Sequence, residues 1–126
     1  MKITDLNEFR FGKKGGKARY QVVEPSRRTM DGVVFASQKE MKRYAELRLL
    51  VRAGEITDLA LQPKFQVDGN GEPFCTYTAD FSYRDKDGTL IVEEIKSTGT
   101  AKDASYKLRK KAAELAFGIT VTEIIR

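Results

Sequence analysis

The stretch "TADFSYRDKDGTLIVEEIKS" (Thr78–Ser97) decides how this chain is read. Two apolar runs of period two surround "RDKDG", which is a hairpin-turn signal. On the first strand Tyr77, Ala79, Phe81 and Tyr83 take one face; Thr76, Thr78, Asp80 and Ser82 take the other. On the second, Leu90, Val92, Glu94 and Lys96 share one face, and Ile91, Glu93 and Ile95 share the other. Asp80 lies four residues before Arg84 and Glu94 six after Gly88, so antiparallel pairing brings them to about the same level. Glu94 and Lys96 are two apart and project to one face. Two carboxylates and an ammonium group thus stand in strands that otherwise read as buried.

Upstream of the hairpin, "ITDLALQ" and "PKFQVD" are extended segments broken at Pro63, and "FCTYTADFSY" reads as one strand. A helix is predicted from about Gln38 to Arg52, with Ser37 as N-cap and Gly54 at C′. Glu40, Tyr44, Leu47 and Val51 fall on its inner stripe, while Lys39, Lys42, Arg43 and Glu46 face water. "RYQVVE" and "GVVFAS" flank Pro25–Gly32 and predict a small β-ribbon turning at Asp31-Gly32. Downstream, a second helix runs from roughly Lys102 to Phe117, with Tyr106, Leu108, Ala112, Ala113, Leu115 and Ala116 on its apolar side. Gly118 stops it, and "ITVTEII" is a last strand. The expected class is α/β: a mixed β-sheet flanked by helices. Residues 1–19 read as a basic, Gly-rich N-terminal arm and 20–126 as a single domain.

Composition narrows the chemistry. The 126 residues contain no histidine, which removes His-metal nucleases, Ser-His hydrolases and most zinc sites. No glycine-rich phosphate loop is present, against NTP hydrolysis. No apolar run approaches the ~18 residues of a membrane span, and the N-terminus lacks the apolar stretch of a signal peptide. The lone Cys75 suits a reducing compartment and reads as a small packing residue. Net charge is +5, from 23 basic and 18 acidic residues, which favours a polyanionic partner. The basic residues cluster in "GKKGGKAR" (Lys13, Lys14, Lys17, Arg19), at Arg27–Arg28 and in "KLRKKA" (Lys107, Arg109, Lys110, Lys111).

With histidine absent, hydrolysis would need carboxylates, lysine and an oxygen-loving metal. A divalent cation could take oxygens from Asp80, Glu94 and the Ile95 backbone carbonyl, with Lys96 beside a bound water. Each residue also has an ordinary reading. Asp80 suits a half-exposed strand face, and Glu94 with Lys96 suits a solvent-facing pair. Glu93 and Glu94 together would blunt an edge strand. "SQKE" is a capping box, which accounts for Glu40 without a metal.

The marks "DGVVFASQKEMKRYAEL", "RAGEITDLALQPKF", "YTADF" and "VEEIKS", from about Met30 to Ile125, resemble the PD-(D/E)XK nuclease superfamily. The likeness is greatest to a small phage- and prophage-type endonuclease domain family. The resemblance implies a restriction-endonuclease-like α-β-β-β-α-β core. Asp80 matches the motif aspartate, Glu94 the acidic position, Lys96 the motif lysine and Glu40 the first-helix glutamate. Ala79 stands where the nominal motif has proline, and Gln62 matches a recurrent position, where its amide would support backbone groups beside Pro63. The resemblance implies Mg²⁺- or Mn²⁺-dependent hydrolysis of DNA phosphodiesters, with Tyr106, Lys107, Lys110 and Lys111 reaching phosphates. It further implies a homodimer acting on branched DNA such as Holliday junctions, in the cytoplasm of a bacterial host. A non-catalytic DNA-binding module of the same fold and a phage assembly protein are the competing expectations.

Overall fold

The computed structural model describes residues 23–97 and 104–126. The basic positions Lys13, Lys14, Lys17 and Arg19, and the helix start expected at Lys102, lie outside the described residues. The chain divides into two compact units, one ending at Leu49 and the other beginning at Leu50.

In the first unit Pro25 opens a 3₁₀ turn over Pro25–Arg28. Strands β1 (Thr29–Met30) and β2 (Val33–Val34) then pair antiparallel around Asp31-Gly32. Both turn residues have positive φ, 53° and 78°, the geometry of a two-residue type I′ hairpin. The ribbon at this turn is formed by Thr29–Met30 and Val33–Val34; of "RYQVVE", residues 19–22 lie outside the described residues. The 3₁₀ turn opened by Pro25 runs directly into β1.

Arg28 corrects a second expectation. It is fully buried, and its Nε and Nη1 donate to the Val23 and Phe35 carbonyls, each at 2.6 Å. It therefore holds the chain around the ribbon and is not a surface cation for DNA; Arg27 remains exposed.

Helix α1 (Gln38–Arg52) starts where Ser37 Oγ accepts the Glu40 amide at 3.2 Å. Within the first unit, Tyr44 donates to Asp31 at 2.6 Å and Arg48 grips the same carboxylate at 2.9 Å. The Phe35 and Tyr44 rings lie 5.1 Å apart. Leu47 is buried as expected, whereas Val51, placed on the same stripe by sequence, is exposed. At the helix end the Glu55 amide bonds Leu50 O and the Gly54 amide bonds Val51 O, with Gly54 at φ 78°. This is a Schellman ending. A Cβ at Gly54 would meet nothing within 4 Å, so Gly54→Ala isolates backbone strain. It should cost about 1 kcal/mol in urea unfolding, with an unchanged m value.

The second unit holds β3 (Thr57–Leu61), β4 (Lys64–Gly69), β5 (Glu72–Thr78), β6 (Phe81–Arg84), β7 (Leu90–Lys96), α2 (Ala104–Phe117) and β8 (Val121–Ile125). β3, β6, β7 and β8 form a mixed sheet in that order, and β4 and β5 form a separate ribbon. β7 pairs antiparallel with β6 and parallel with β8, the parallel return being made through α2. The class, among the described residues, is thus α/β with a mixed sheet and two α-helices.

"FCTYTADFSY" is not one strand but two, β5 and β6, parted at Ala79-Asp80. The partner arm breaks at the same level, where Gln62 takes φ 50° before Pro63. Backbone bonds from Gln62 N to Asp80 O (2.9 Å) and from Ala79 N to Pro63 O (3.1 Å) close the junction. The face of Tyr77, Ala79, Phe81 and Tyr83 is buried as read, but Ser82 on the other face is buried too, so the alternation of burial ends in β6. The core of this unit joins Val67 and Tyr77 of the ribbon, Tyr106 and Ala113 of α2, and Val92 and Val121 of the sheet.

Candidate active site

β7 is a central strand, so Glu93 and Glu94 do not blunt an edge. Glu93 is 2% exposed and accepts the Tyr83 hydroxyl at 2.5 Å. The Glu94 and Lys96 side chains are only 13% and 17% exposed and lie 3.8 Å apart, which rules out an open solvent-facing pair. Placing such groups in a central strand costs desolvation free energy that no packing need explains.

Extending the β6–β7 register one residue beyond Phe81↔Glu93 sets Asp80 opposite Glu94. The β7–β8 register sets Glu94 beside Glu123. Glu94 and Glu123 are thus neighbours on β7 and β8, on the Val92–Val121 face by alternation, and Asp80, in the bend just before β6, completes the row at the same level. Asp80 is fixed by its main chain, whose amide bonds Glu93 O at 3.1 Å, and by its Oδ2, which accepts the Ile95 amide at 2.8 Å. Two tyrosines support the row: Tyr77 donates to Glu94 Oε1 at 2.6 Å and Tyr106 to Glu123 Oε2 at 2.7 Å. Lys96 Nζ lies 3.9 Å above the centre of the Tyr106 ring.

Burial, and next the neighbouring Asp80 charge, push the Glu94 carboxyl up to about 7. The Tyr77 hydrogen bond and Lys96 oppose this shift, and Glu123 adds to it. Burial also raises the Tyr77 and Tyr106 hydroxyls, each helped by the carboxylate it bonds, so both remain protonated donors. The donors are hard oxygens with excess negative charge, the chemistry that suits Mg²⁺ or Mn²⁺. Among the described residues, however, no three His, Cys, Asp or Glu side chains converge into a ready-made metal cage.

Of the other expected residues, Glu40 belongs to the first unit, while Asp80, Glu94 and Lys96 belong to the second. Gln62 supports Asp80 through its backbone amide; its side-chain Oε1 is buried without a hydrogen-bond partner, so the expected amide support is not made by that oxygen. Tyr106 is 9% exposed and bound to Glu123, which makes it part of the site's wall and not a surface phosphate contact. Lys107 and Lys111 are exposed, and Lys110 Nζ lies 3.8 Å from Glu114 and 3.9 Å from Glu123. A cleft of about 550 Å³ is lined by Tyr106, Lys107, Lys110, Lys111, Glu114 and Glu123. Sequence reasoning missed Glu123 and the role of Tyr77. The signal for Glu123 was a carboxylate in the apolar run "ITVTEII", legible only once the parallel register is known.

Fold and site define a small mixed α/β protein with a half-buried carboxylate–lysine cluster on its sheet. The chain belongs to the family described as "Protein of unknown function (DUF1064)", whose model matches residues 24–126. No curated protein and no solved structure matches it. Among the described residues no helix is long and apolar enough to cross a membrane.

Proposed function

We propose that this protein is a divalent-metal-dependent DNA endonuclease with a restriction-endonuclease-like core. The observation that carries this reading is the placement of Asp80 opposite Glu94, with Lys96 3.8 Å from Glu94, in strands where charge is costly. Asp80 and Glu94 would hold Mg²⁺ or Mn²⁺, with the Ile95 carbonyl as a further ligand. The bound ion supplies a polarised phosphoryl oxygen and an activated water. Lys96 holds positive charge beside the reacting phosphate and orients the attacking water. Lys107, Lys110 and Lys111 of α2 bind neighbouring phosphates, which favours reading DNA by shape rather than by base edges. A homodimer cutting branched DNA, phage-encoded and working in a host cytoplasm, is the narrower form of the proposal.

The test is a cleavage panel of single-stranded, duplex, flapped and four-way DNA with Mg²⁺ and with Mn²⁺. Cutting that requires either ion supports the reading. Intact DNA of every form, bound in a salt-sensitive way, favours a non-catalytic binding module. In a salt titration, Lys107→Ala and Lys111→Ala should each weaken affinity for all DNA forms and reduce the salt slope by about 1. An unchanged slope in both would remove α2 from the interface.

A further inference from the structure

We infer that Tyr106 is a positioning residue for Lys96, presenting its ring face to the ammonium group so that Lys96 stays within reach of Glu94. The inference rests on the nuclease reading and deepens it. A lysine has four flexible carbons and loses much of its rotamer freedom when fixed. A single contact with Glu94 at 3.8 Å leaves much of that freedom in place. The second hold comes from the ring, 3.9 Å below Nζ, within the range where an aromatic face attracts a cation.

The ring is itself anchored. Its hydroxyl donates to Glu123 at 2.7 Å, its centre lies 6.2 Å from that of Tyr77, and its backbone belongs to the first turn of α2. Tyr77 in turn donates to Glu94 at 2.6 Å. The aromatic pair thus spans from one carboxylate of the row to the next, with the ammonium over it. Tyr106 reaches Lys96 from α2, an element outside the short motif that carries Asp80, Glu94 and Lys96. Lys110 lies 3.9 Å from Glu123 and partly neutralises it.

A carbon–proton correlation spectrum of the full chain, with chelator and no DNA, reads the geometry directly. The Lys96 ε-methylene, assigned by its loss in Lys96→Arg, should lie upfield of ordinary lysines because it stands over a ring. Tyr106→Phe keeps the ring and should keep the shift; Tyr106→Leu should abolish it. In cleavage assays Tyr106→Leu should lower kcat about ten-fold with KM nearly unchanged, and Tyr106→Phe, which keeps the ring but loses the hydroxyl anchor, should lower it less. A Lys96 signal at the ordinary lysine position in wild-type protein overturns the inference, even if Tyr106→Leu fails to fold. So does a folded Tyr106→Leu with full kcat. Wild-type protein that cuts no DNA sinks the nuclease reading and this role with it; an active enzyme with an unshifted Lys96 signal sinks the positioning role alone.

Discussion

Asp80→Ala should reduce DNA cleavage about a thousand-fold or more while leaving DNA affinity intact or slightly tighter. On the proposed nuclease reading, Asp80 holds the metal, and its loss removes several kcal/mol of transition-state stabilisation, each 1.36 kcal/mol being about ten-fold in rate. Affinity has the opposite expectation, because one negative charge disappears from beside a phosphate. Asp80 also has a structural duty, since its Oδ2 accepts the Ile95 amide at 2.8 Å. Asp80→Asn keeps an oxygen for that bond and removes only the charge. The pair of variants therefore separates chemistry from folding. Both should be inactive, and Asp80→Asn should melt close to wild type. Cleavage by Asp80→Asn at near wild-type rate would remove Asp80 from the reaction.

The second large effect is on stability. The Glu94 carboxyl is raised from an ordinary value of 4.5 to about 7, first by burial and next by Asp80. A folded-state value above the unfolded one means that the folded protein binds the proton more tightly. Stability in chelator should therefore be fullest below about pH 4.5 for this group and fall as pH rises towards about 7. The loss above that window is about 3 kcal/mol. Glu94→Gln has no charge to lose and can still accept the Tyr77 hydroxyl. It should be more stable than wild type at pH 8 and nearly equal near pH 4.5, as read by urea unfolding. Millimolar Mg²⁺ should restore wild type at pH 8 and stabilise Glu94→Gln much less, because that variant offers one ionised carboxylate fewer to the ion. Equal pH profiles for the two proteins would show that Glu94 ionises as an ordinary surface carboxylate.

Much of this architecture was legible in local chemistry. Ser37 and Gly54 marked both ends of α1, Asp31-Gly32 marked the small hairpin, and "RDKDG" set the β6–β7 turn. That turn fixed the register closely enough to bring Asp80 and Glu94 to one level. What failed were statements needing long-range partners. Nothing in "FCTYTADFSY" signals a break, because its alternation continues across two sheets; the bend is imposed by Gln62-Pro63 on the neighbouring arm. Arg28 looked like any surface cation because the two carbonyls that bury it come from residues five before and seven after it. Glu123 could not be joined to the site until β8 was known to run parallel beside β7. Charge type and spacing are local properties, whereas which strands become neighbours is settled by the whole core.

The double break at Gln62-Pro63 and Ala79-Asp80 has a mechanical meaning. Asp80 stands at the root of the β4–β5 ribbon, its amide clamped to Glu93 and its carbonyl to Gln62. Forces applied at the far tip, where Asn70-Gly71 turns in open water, end at those clamps rather than at the carboxylate. The tip is accordingly the place where a foreign peptide or a longer loop can be spliced in without misaligning Asp80.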